Sequence, residues 1–313
     1  MDTRLIVVTG GLGFIGKHFV RRCLALGHLV TNVDVVNYAA DRVANDEFTR
    51  SPNYRHLAED VSELGHLPEA DYLVHFAAES HVDNSIANNR QFCLSNILGT
   101  QRLLELTRAK HHTGAPRFIQ ISTDEVYGDI AQGRHSESDP LRPSNPYSST
   151  KAAADMLVIG WARTYGIAYN IVRMTNNYGP HQYPEKLIPK SSWRMRRGLP
   201  ALVHGDGSYL RSWLHVEDSV DALLTILEKG ETNMVYNVHG DVELANLEVL
   251  RRIARLLNVP EDKAWIKVPN RVGQDVRYSL DDSRLRALGW RPTRDFDTEL
   301  RNVVSNDDFQ RFL

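Results

Sequence analysis

Between an apolar, β-branched run, Leu5 to Thr9, and a stretch of helical periodicity, Phe14 to Leu26, the chain places Gly10, Gly11 and Gly13, with Gly16 in the first turn of the helical stretch. A strand must therefore turn tightly into a helix, which Gly27 then closes. Leu29 to Asp34 reads as a second strand ending in an acid. Tyr72 to Ala78 and Arg117 to Ser122 are further apolar runs of strand length, each followed by polar residues. Helical patterns lie between them, notably Arg90 to Lys110 and Pro146 to Tyr165. Strands alternating with helices predict an α/β fold: a doubly wound parallel sheet with right-handed crossovers. After Arg173 the alternation loosens and Pro, Trp and Arg become more frequent, although Val216 to Glu228 and Leu247 to Leu257 still read as helices. The expected division is residues 1–173 as a nucleotide-binding domain whose sheet later segments complete, and 174–313 mainly as a smaller, interleaved substrate-binding lobe.

Composition narrows the function. A chain of 313 residues with 42% hydrophobic content can bury a sizeable core. A net charge of -2 gives no broad field for nucleic acid or an anionic membrane, so any polyanion must be met locally. The two cysteines, Cys23 and Cys93, lack partners at metal-ligand or redox-motif spacing and are expected to be reduced core residues. No run of eighteen apolar residues occurs, and Met1 to Val8 leads directly into a strand. The expectation is a soluble, cytoplasmic protein without a metal.

The glycine spacing has a chemical reading. Gly10 permits the tight turn, Gly13 lets the backbone approach a pyrophosphate, and Gly16 lets helix pack on strand, with Phe14 and Ile15 opening the helix whose N-terminus faces the anion. Asp34, eighteen residues past Gly16, ends the next strand, where its carboxylate would accept hydrogen bonds from an adenosine ribose and repel a 2′-phosphate. The expected cofactor is NAD. Asp60 and Val61 follow a third strand-like stretch and either flank the adenine or are ordinary surface residues. The small Ala77 and Ala78, ending another strand, would let cofactor and sugar come close.

Tyr147 and Lys151 stand four residues apart and project from one helix face. The ammonium would depress the phenol's pKa, making Tyr147 a base for a sugar hydroxyl as hydride leaves its carbon. Ser122-Thr123-Asp124-Glu125-Val126-Tyr127-Gly128 follows the apolar run Phe118 to Ile121, at the sheet edge where such folds hold ligands. Successive strand residues face opposite ways, so Asp124 and Glu125 share a pocket only if the strand has already ended. Taken alone, they could equally cap the next helix.

The segment Ser122 to Gly128 resembles the signature of nucleotide-sugar (dTDP- or UDP-glucose) 4,6-dehydratases, within the extended short-chain dehydrogenase/reductase family and its Rossmann fold. That resemblance implies a lyase. Tyr147 would be the base for oxidation at C4, with Lys151 lowering its pKa, Thr123 hydrogen-bonding the same oxygen and NAD taking the hydride; Glu125 would take the C5 proton; Asp124 would protonate the departing C6 hydroxyl, and the hydride would return to C6. The resemblance extends over nearly the whole chain. Phe76 to Ile86 (FAAESHVDNSI) is similar to the family's segment after the fourth strand and brings in Ser80, while Asn96 stands where the family keeps an active-site Asn. Asn176 to Pro189 (NNYGPHQYPEKLIP) is similar to the substrate-binding stretch, implying nucleotide contacts from Asn177, Lys186 and Leu187 and a sugar contact from Glu185. Arg211 and Arg271 match phosphate-side arginines, and Asn246 a further contact. A homodimer formed by pairing the helices Arg90 to Lys110 and Pro146 to Tyr165 in a four-helix bundle is the family expectation.

Asn84, Ser212 and Gln274 depart from the commonest bacterial dTDP-glucose pattern, and Leu202-Val203-His204 replaces a Pro-x-Tyr arrangement at the expected base pocket. His204 either stacks on the base or is an ordinary half-buried histidine. The nucleobase is therefore open between thymine and uracil. Two rivals remain at this stage. A nucleotide-sugar 4-epimerase shares the glycines, Tyr147 and Lys151 but needs no acid at C6, and a non-catalytic NAD-binding regulator would retain only the fold.

Overall fold

The computed structural model of the protein describes residues 2–110, 114–270, 272–306 and 311–312. In chain order the first six strands are β1 (Leu5–Thr9), β2 (Leu29–Val33), β3 (Tyr54–Leu57), β4 (Tyr72–His75), β5 (Arg117–Thr123) and β6 (Tyr169–Met174). They are followed by β7 (Asn176–Tyr178), β8 (Ala201–His204), β9 (Leu210–His215), β10 (Met234–Val238), β11 (Val242–Ala245) and β12 (Trp265–Val268). Seven of these form one sheet in the order β10-β6-β5-β4-β1-β2-β3, every pair parallel. The strand order reverses between β1 and β4, and that switch point fixes where a ligand crevice opens, beyond the strands' carboxyl ends.

The sheet is buried on both faces, as an all-parallel sheet must be. The helices Phe14–Ala25 and Val216–Lys229 cover one side through Phe19, Val20, Cys23, Val220, Leu223 and Ile226. The helices Gly99–Ala109 and Pro146–Tyr165 cover the other through Leu103, Leu104 and Val158. A second core gathers Ile188, Met195, Val249, Leu250, Ile253 and Phe296 beneath two small sheets, β11-β9-β7 and β12-β8. Because β10 returns to the main sheet from inside this later stretch, the two cores interleave along the chain.

The main elements fall where the residue pattern predicts, with three corrections. The run Tyr72 to Ala78 leaves the sheet at His75, because Phe76 and Ala77 turn in against Gly10: a Cβ on Gly10, whose φ is +70°, would stand 2.6 Å from the Ala77 nitrogen. The pattern Arg90 to Lys110 is divided into a turn of α-helix, Asn89–Phe92, a π-helical stretch, Cys93–Leu98, and the helix Gly99–Ala109. The π-helical widening rotates Cys93 off the core face. Cys23 is buried as expected, but Cys93 is exposed; both are free thiols. Among the described residues no helix is long and apolar enough to cross a membrane, and none form a metal-binding group.

Candidate active site

A cleft of about 450 Å³ opens at the carboxyl ends of the parallel strands. Its floor is the first turn: Gly10 N–H donates to Val33 O at 2.9 Å, Gly13 N–H to Gly10 O at 3.1 Å, and Lys17 N–H to Gly13 O at 3.0 Å. The N-cap of the helix Phe14–Ala25 is Gly13, and no side chain caps it. Its first N–H groups thus remain available to an anion, as a pyrophosphate site requires. A Cβ on Gly16 would overlap the Gly10 carbonyl oxygen and stand 2.9 Å from Gly11 Cα, so glycine is obligatory where helix meets turn. Asp34 lines the cleft beside them. Its Oδ2 accepts from Leu12 N–H at 2.9 Å and its Oδ1 from Val36 N–H at 2.8 Å, which orients the carboxylate and leaves each oxygen a second lone pair for a ribose hydroxyl. Burial nevertheless holds its pKa above the ordinary value, against the pull of those two hydrogen bonds. Phe14, Ile15, Asp60, Val61, Ala77 and Ala78 line the same cleft, so the expected dinucleotide residues come together. The donor-rich helix end and the glycine cradle fit NAD.

At the other end β5 stops at Thr123 and Asp124–Tyr127 forms one 3₁₀ turn. The condition for two adjacent acids to face one pocket is met: Asp124, Glu125, Thr123, Tyr147 and Lys151 all line the cleft. Thr123 Oγ1 donates to Asp124 Oδ1 at 3.0 Å and accepts from the Glu125 N–H at 3.3 Å. Asp124 is 3% exposed, and its second oxygen has no hydrogen-bond partner within the chain. Burial and then the Glu125 charge push its pKa up to about 7, so near neutrality it carries a proton for part of the time. Burial also raises Glu125, although the Asn145 hydrogen bond and the charges of Arg211 and Lys186 pull it down.

The Tyr147–Lys151 pair requires a correction. Both side chains are buried, but Lys151 Nζ donates to the Ile121 carbonyl at 2.7 Å, and burial lowers its pKa to about 8. Tyr147 is held well above the ordinary phenol value, first by burial and then by the charges of Glu125 and Asp124, with the Thr123 hydroxyl acting in the opposite direction. In the chain alone, loss of solvent therefore outweighs the favourable charge four residues away.

The substrate residues divide into three groups. Ser80, Asn177, Glu185 and Lys186 line the cleft, and Lys186 Nζ closes its mouth by donating to Ser80 O at 3.0 Å. Asn96, Leu187, His204, Arg211 and Asn246 do not line it. Asn96 is buried in the π-helical stretch and holds the Glu79 backbone in both directions, at 2.8 and 3.1 Å, and Thr150 Oγ1 at 2.9 Å. It supports the cleft wall, and both of its amide hydrogens are taken, leaving no donor for a sugar. Leu187 opens the helix Leu187–Arg196 and packs on the second core. His204 is half-buried, with Nδ1 against Pro269 O at 3.1 Å. Arg211 is buried over the Tyr278 ring and donates to the carbonyls of Leu210 at 2.6 Å and Asp275 at 3.0 Å. Asn246 begins the helix Asn246–Leu256 through a bond to Tyr209 O at 3.1 Å. Arg271 lies outside the described residues.

Two features go beyond the motifs. Lys17 Nζ, buried under the glycine turn, donates to Asp41 Oδ2 at 2.9 Å and to His181 O at 2.5 Å, while Arg311 Nε reaches Asp41 at 3.1 Å. This ties the first helix to the loop of the substrate stretch and to the end of the chain. A lysine directly after Gly16, on the face the helix buries, was the available signal. Asn145, the helix cap before Tyr147, is the second, and it bonds Glu125 Oε2 at 3.3 Å.

A doubly wound parallel sheet, an uncapped glycine turn at its switch point and a Tyr–Lys pair one helical turn apart define a dinucleotide-binding protein of the short-chain dehydrogenase/reductase class. The family described as GDP-mannose 4,6 dehydratase matches residues 7–303. The chain belongs to that family. It is 42% identical over 304 residues to the low-salt glycan biosynthesis protein Agl12 of Haloferax volcanii, covering 96% of this chain and 97% of that one. It is 41% identical to a dTDP-glucose 4,6-dehydratase of Haemophilus influenzae, with 96% of each covered. The crystal structure of DesIV, a dTDP-glucose 4,6-dehydratase from Streptomyces venezuelae with NAD and TYD bound, superposes with a TM-score of 0.92 at 38% identity over 96% of both chains.

Proposed function

We propose that the protein is an NAD-dependent nucleotide-sugar 4,6-dehydratase that converts an NDP-glucose, dTDP- or UDP-glucose, to the NDP-4-keto-6-deoxyglucose. One observation carries the reading: two acids on a single 3₁₀ turn, one with an unpartnered buried oxygen, line the cleft that also holds Tyr147 and Lys151. An epimerase has no use for a proton donor at C6, and a regulator has no use for the pair. Relatives of about 40% identity over nearly the full length bear the dehydratase name, which favours the same conclusion.

When bound, NAD supplies a hydride acceptor, a positive charge beside the phenol, and the hydride returned at C6. The chain does the rest. Tyr147 takes the C4 hydroxyl proton, and Thr123, which lines the same cleft, would hydrogen-bond the same oxygen. Oxidation at C4 acidifies C5; Glu125 removes that proton and returns one to C5 as the hydride is delivered to C6. Asp124, part-protonated near neutrality, gives its proton to the C6 hydroxyl, which leaves as water. Lys151 lines the same cleft and would help hold the cofactor. The helix Phe14–Ala25 would hold the pyrophosphate on its free N–H groups. Glu185 and Lys186 face the sugar and the nucleotide, and the stretch 174–313 forms most of the nucleoside lobe.

Leu98, Met156 and Tyr165 are large exposed hydrophobics on the paired helices. They support a homodimer through a four-helix bundle, for which a chain of 35.5 kDa should elute at twice its mass. The two free thiols suit a reducing, cytoplasmic setting. The activity is tested by incubating the protein separately with dTDP-glucose and UDP-glucose and following the alkali-induced absorbance of a 4-keto sugar. Keto product from either supports the reading; a C4 epimer, or intact NAD binding with no product, refutes it.

A further inference from the structure

The helix that carries Tyr147 is capped by Asn145, buried at 6% exposure and held in extended backbone. Its Oδ1 accepts from the Ser148 N–H at 2.9 Å, and Ser148 Oγ accepts from the Asn145 N–H at 3.2 Å. Capping consumes only the carbonyl oxygen, so serine, threonine or aspartate would serve equally well. Serine and threonine also have a hydroxyl proton, but it sits on the capping oxygen itself; only asparagine carries a donor on a separate atom. That donor, Nδ2, reaches Glu125 Oε2 at 3.3 Å across twenty residues of sequence. The preceding residue repeats the arrangement: the Ser144 hydroxyl donates to the Asp275 carboxylate, which also accepts from Tyr278 OH at 2.5 Å. The turn before the helix thus offers one donor to each of two carboxylates beside the cleft.

We propose that Asn145 is a positioning residue for the elimination step: its amide holds the Glu125 carboxylate in register with Tyr147, so that the base for C5 and the base for C4 sit on one rigid frame. The inference rests on the dehydratase reading. Anchoring a carboxylate to the helix cap removes a rotational freedom the base would otherwise have to lose on every turnover. The groups that face Glu125 are Asp124 on its own turn, Arg211 from β9, Lys186 before the helix Leu187–Arg196, Asp275 and Tyr278 from the C-terminal segment, and Tyr147. Burial pushes the Glu125 carboxyl up; the Asn145 donor opposes that, as do Arg211 and Lys186, while Asp275 reinforces it. Without the donor Glu125 protonates more readily, and the acidic limb of the rate profile moves to higher pH.

Asn145→Ser and Asn145→Asp both retain a cap, so the fold is kept while the Nδ2 donor to Glu125 is lost; the aspartate also places a like charge against Glu125. With wild type as reference, NDP-glucose is mixed with each holoenzyme variant. Reduced-nicotinamide absorbance, the kinetic isotope effect of deuterium at C5 and the pH profile are recorded. The expected result is C4 oxidation at near wild-type rate followed by elimination slowed about ten-fold, the equivalent of one hydrogen bond to a charged group. Reduced nicotinamide then accumulates, the C5 isotope effect on kcat rises, and the acidic limb moves up, further for Asn145→Asp. A limb and isotope effect unchanged in both variants overturn the proposal. So does a parallel loss of both steps without accumulation, which marks a structural role alone. A wild-type chain that forms no keto sugar overturns the dehydratase reading as well.

Discussion

Replacing Asp124 with asparagine separates its chemistry from its cost. The carboxyl is 3% exposed, one oxygen is unpartnered, and burial and then Glu125 push it up to about 7 from an ordinary 3.8. A folded-state pKa above the unfolded one means that stability is present at low pH and is lost as pH rises through about 4 to 7. At 1.36 kcal/mol per unit the loss is at most roughly 4 kcal/mol. Asparagine is close in shape and cannot ionise. Allowing for its own unmet amide, Asp124→Asn should be about 1–3 kcal/mol more stable than wild type at about pH 8, or a few degrees in thermal midpoint. Near pH 4 the advantage should vanish. Catalysis moves in the opposite direction. Loss of a general acid costs on the order of 10²–10⁴ in rate, about 3–5 kcal/mol of barrier, and that cost falls on elimination, not on C4 oxidation. The assays are thermal unfolding across pH and stopped-flow absorbance of reduced nicotinamide with NDP-glucose. Wild type should lose turnover as pH rises above about 7, because the acid form disappears. An Asp124→Asn protein that keeps more than half its turnover, or that is less stable than wild type at about pH 8, refutes the reasoning.

Tyr147→Phe should stop C4 oxidation itself, lowering the rate by about 10² or more and leaving no reduced nicotinamide on mixing with substrate, in contrast to Asp124→Asn; stopped-flow absorbance distinguishes the two. Gly16→Ala places a methyl group against the Gly10 carbonyl and 2.9 Å from Gly11 Cα. It should weaken NAD binding at least ten-fold and lower stability by about 1–3 kcal/mol, measured by calorimetric titration and urea unfolding. Asp41, fully buried, is lowered to about 2: burial alone would raise it, and the charge and hydrogen bond of Lys17 overcome that. Its contribution is therefore present above about pH 4 and is lost as pH falls toward 2. Asp41→Asn strands the buried Lys17 charge and should cost about 3–5 kcal/mol in urea unfolding at neutral pH, and less at acid pH.

The sheet was legible because β1, β2, β4 and β5 are apolar runs followed by polar residues, and the glycine turn announces the first crossover; β3, Tyr-Arg-His-Leu, carries no such pattern. Leu5–Thr9 and Pro146–Tyr165 fall on the residues the pattern names. The cofactor side of the cleft was legible for the same reason, since its residues sit at strand ends whose position follows from the sheet. The nucleotide side was not. Arg211 and Asn96 occupy matching positions in the chain, but a motif gives position and not the direction of a side chain; here backbone carbonyls claim the guanidinium and the Glu79 backbone claims the amide. Cys93 was misread because periodicity of 3.6 carries through a π-helical turn on paper, whereas the real turn is wider. For Lys151, local spacing favoured a charge effect on Tyr147 that loss of solvent outweighs. Asn145 before Pro146 reads as a cap, but nothing along the chain tells that its spare donor finds Glu125.

The central claim is that hydride removed at C4 is returned at C6 of the same sugar. Its most direct test uses dTDP-glucose, and in parallel UDP-glucose, carrying deuterium at C4, with the product read by NMR. The expected product is a 4-keto-6-deoxy sugar with the deuterium on C6. Deuterium recovered at C4 of an epimerised sugar would contradict it.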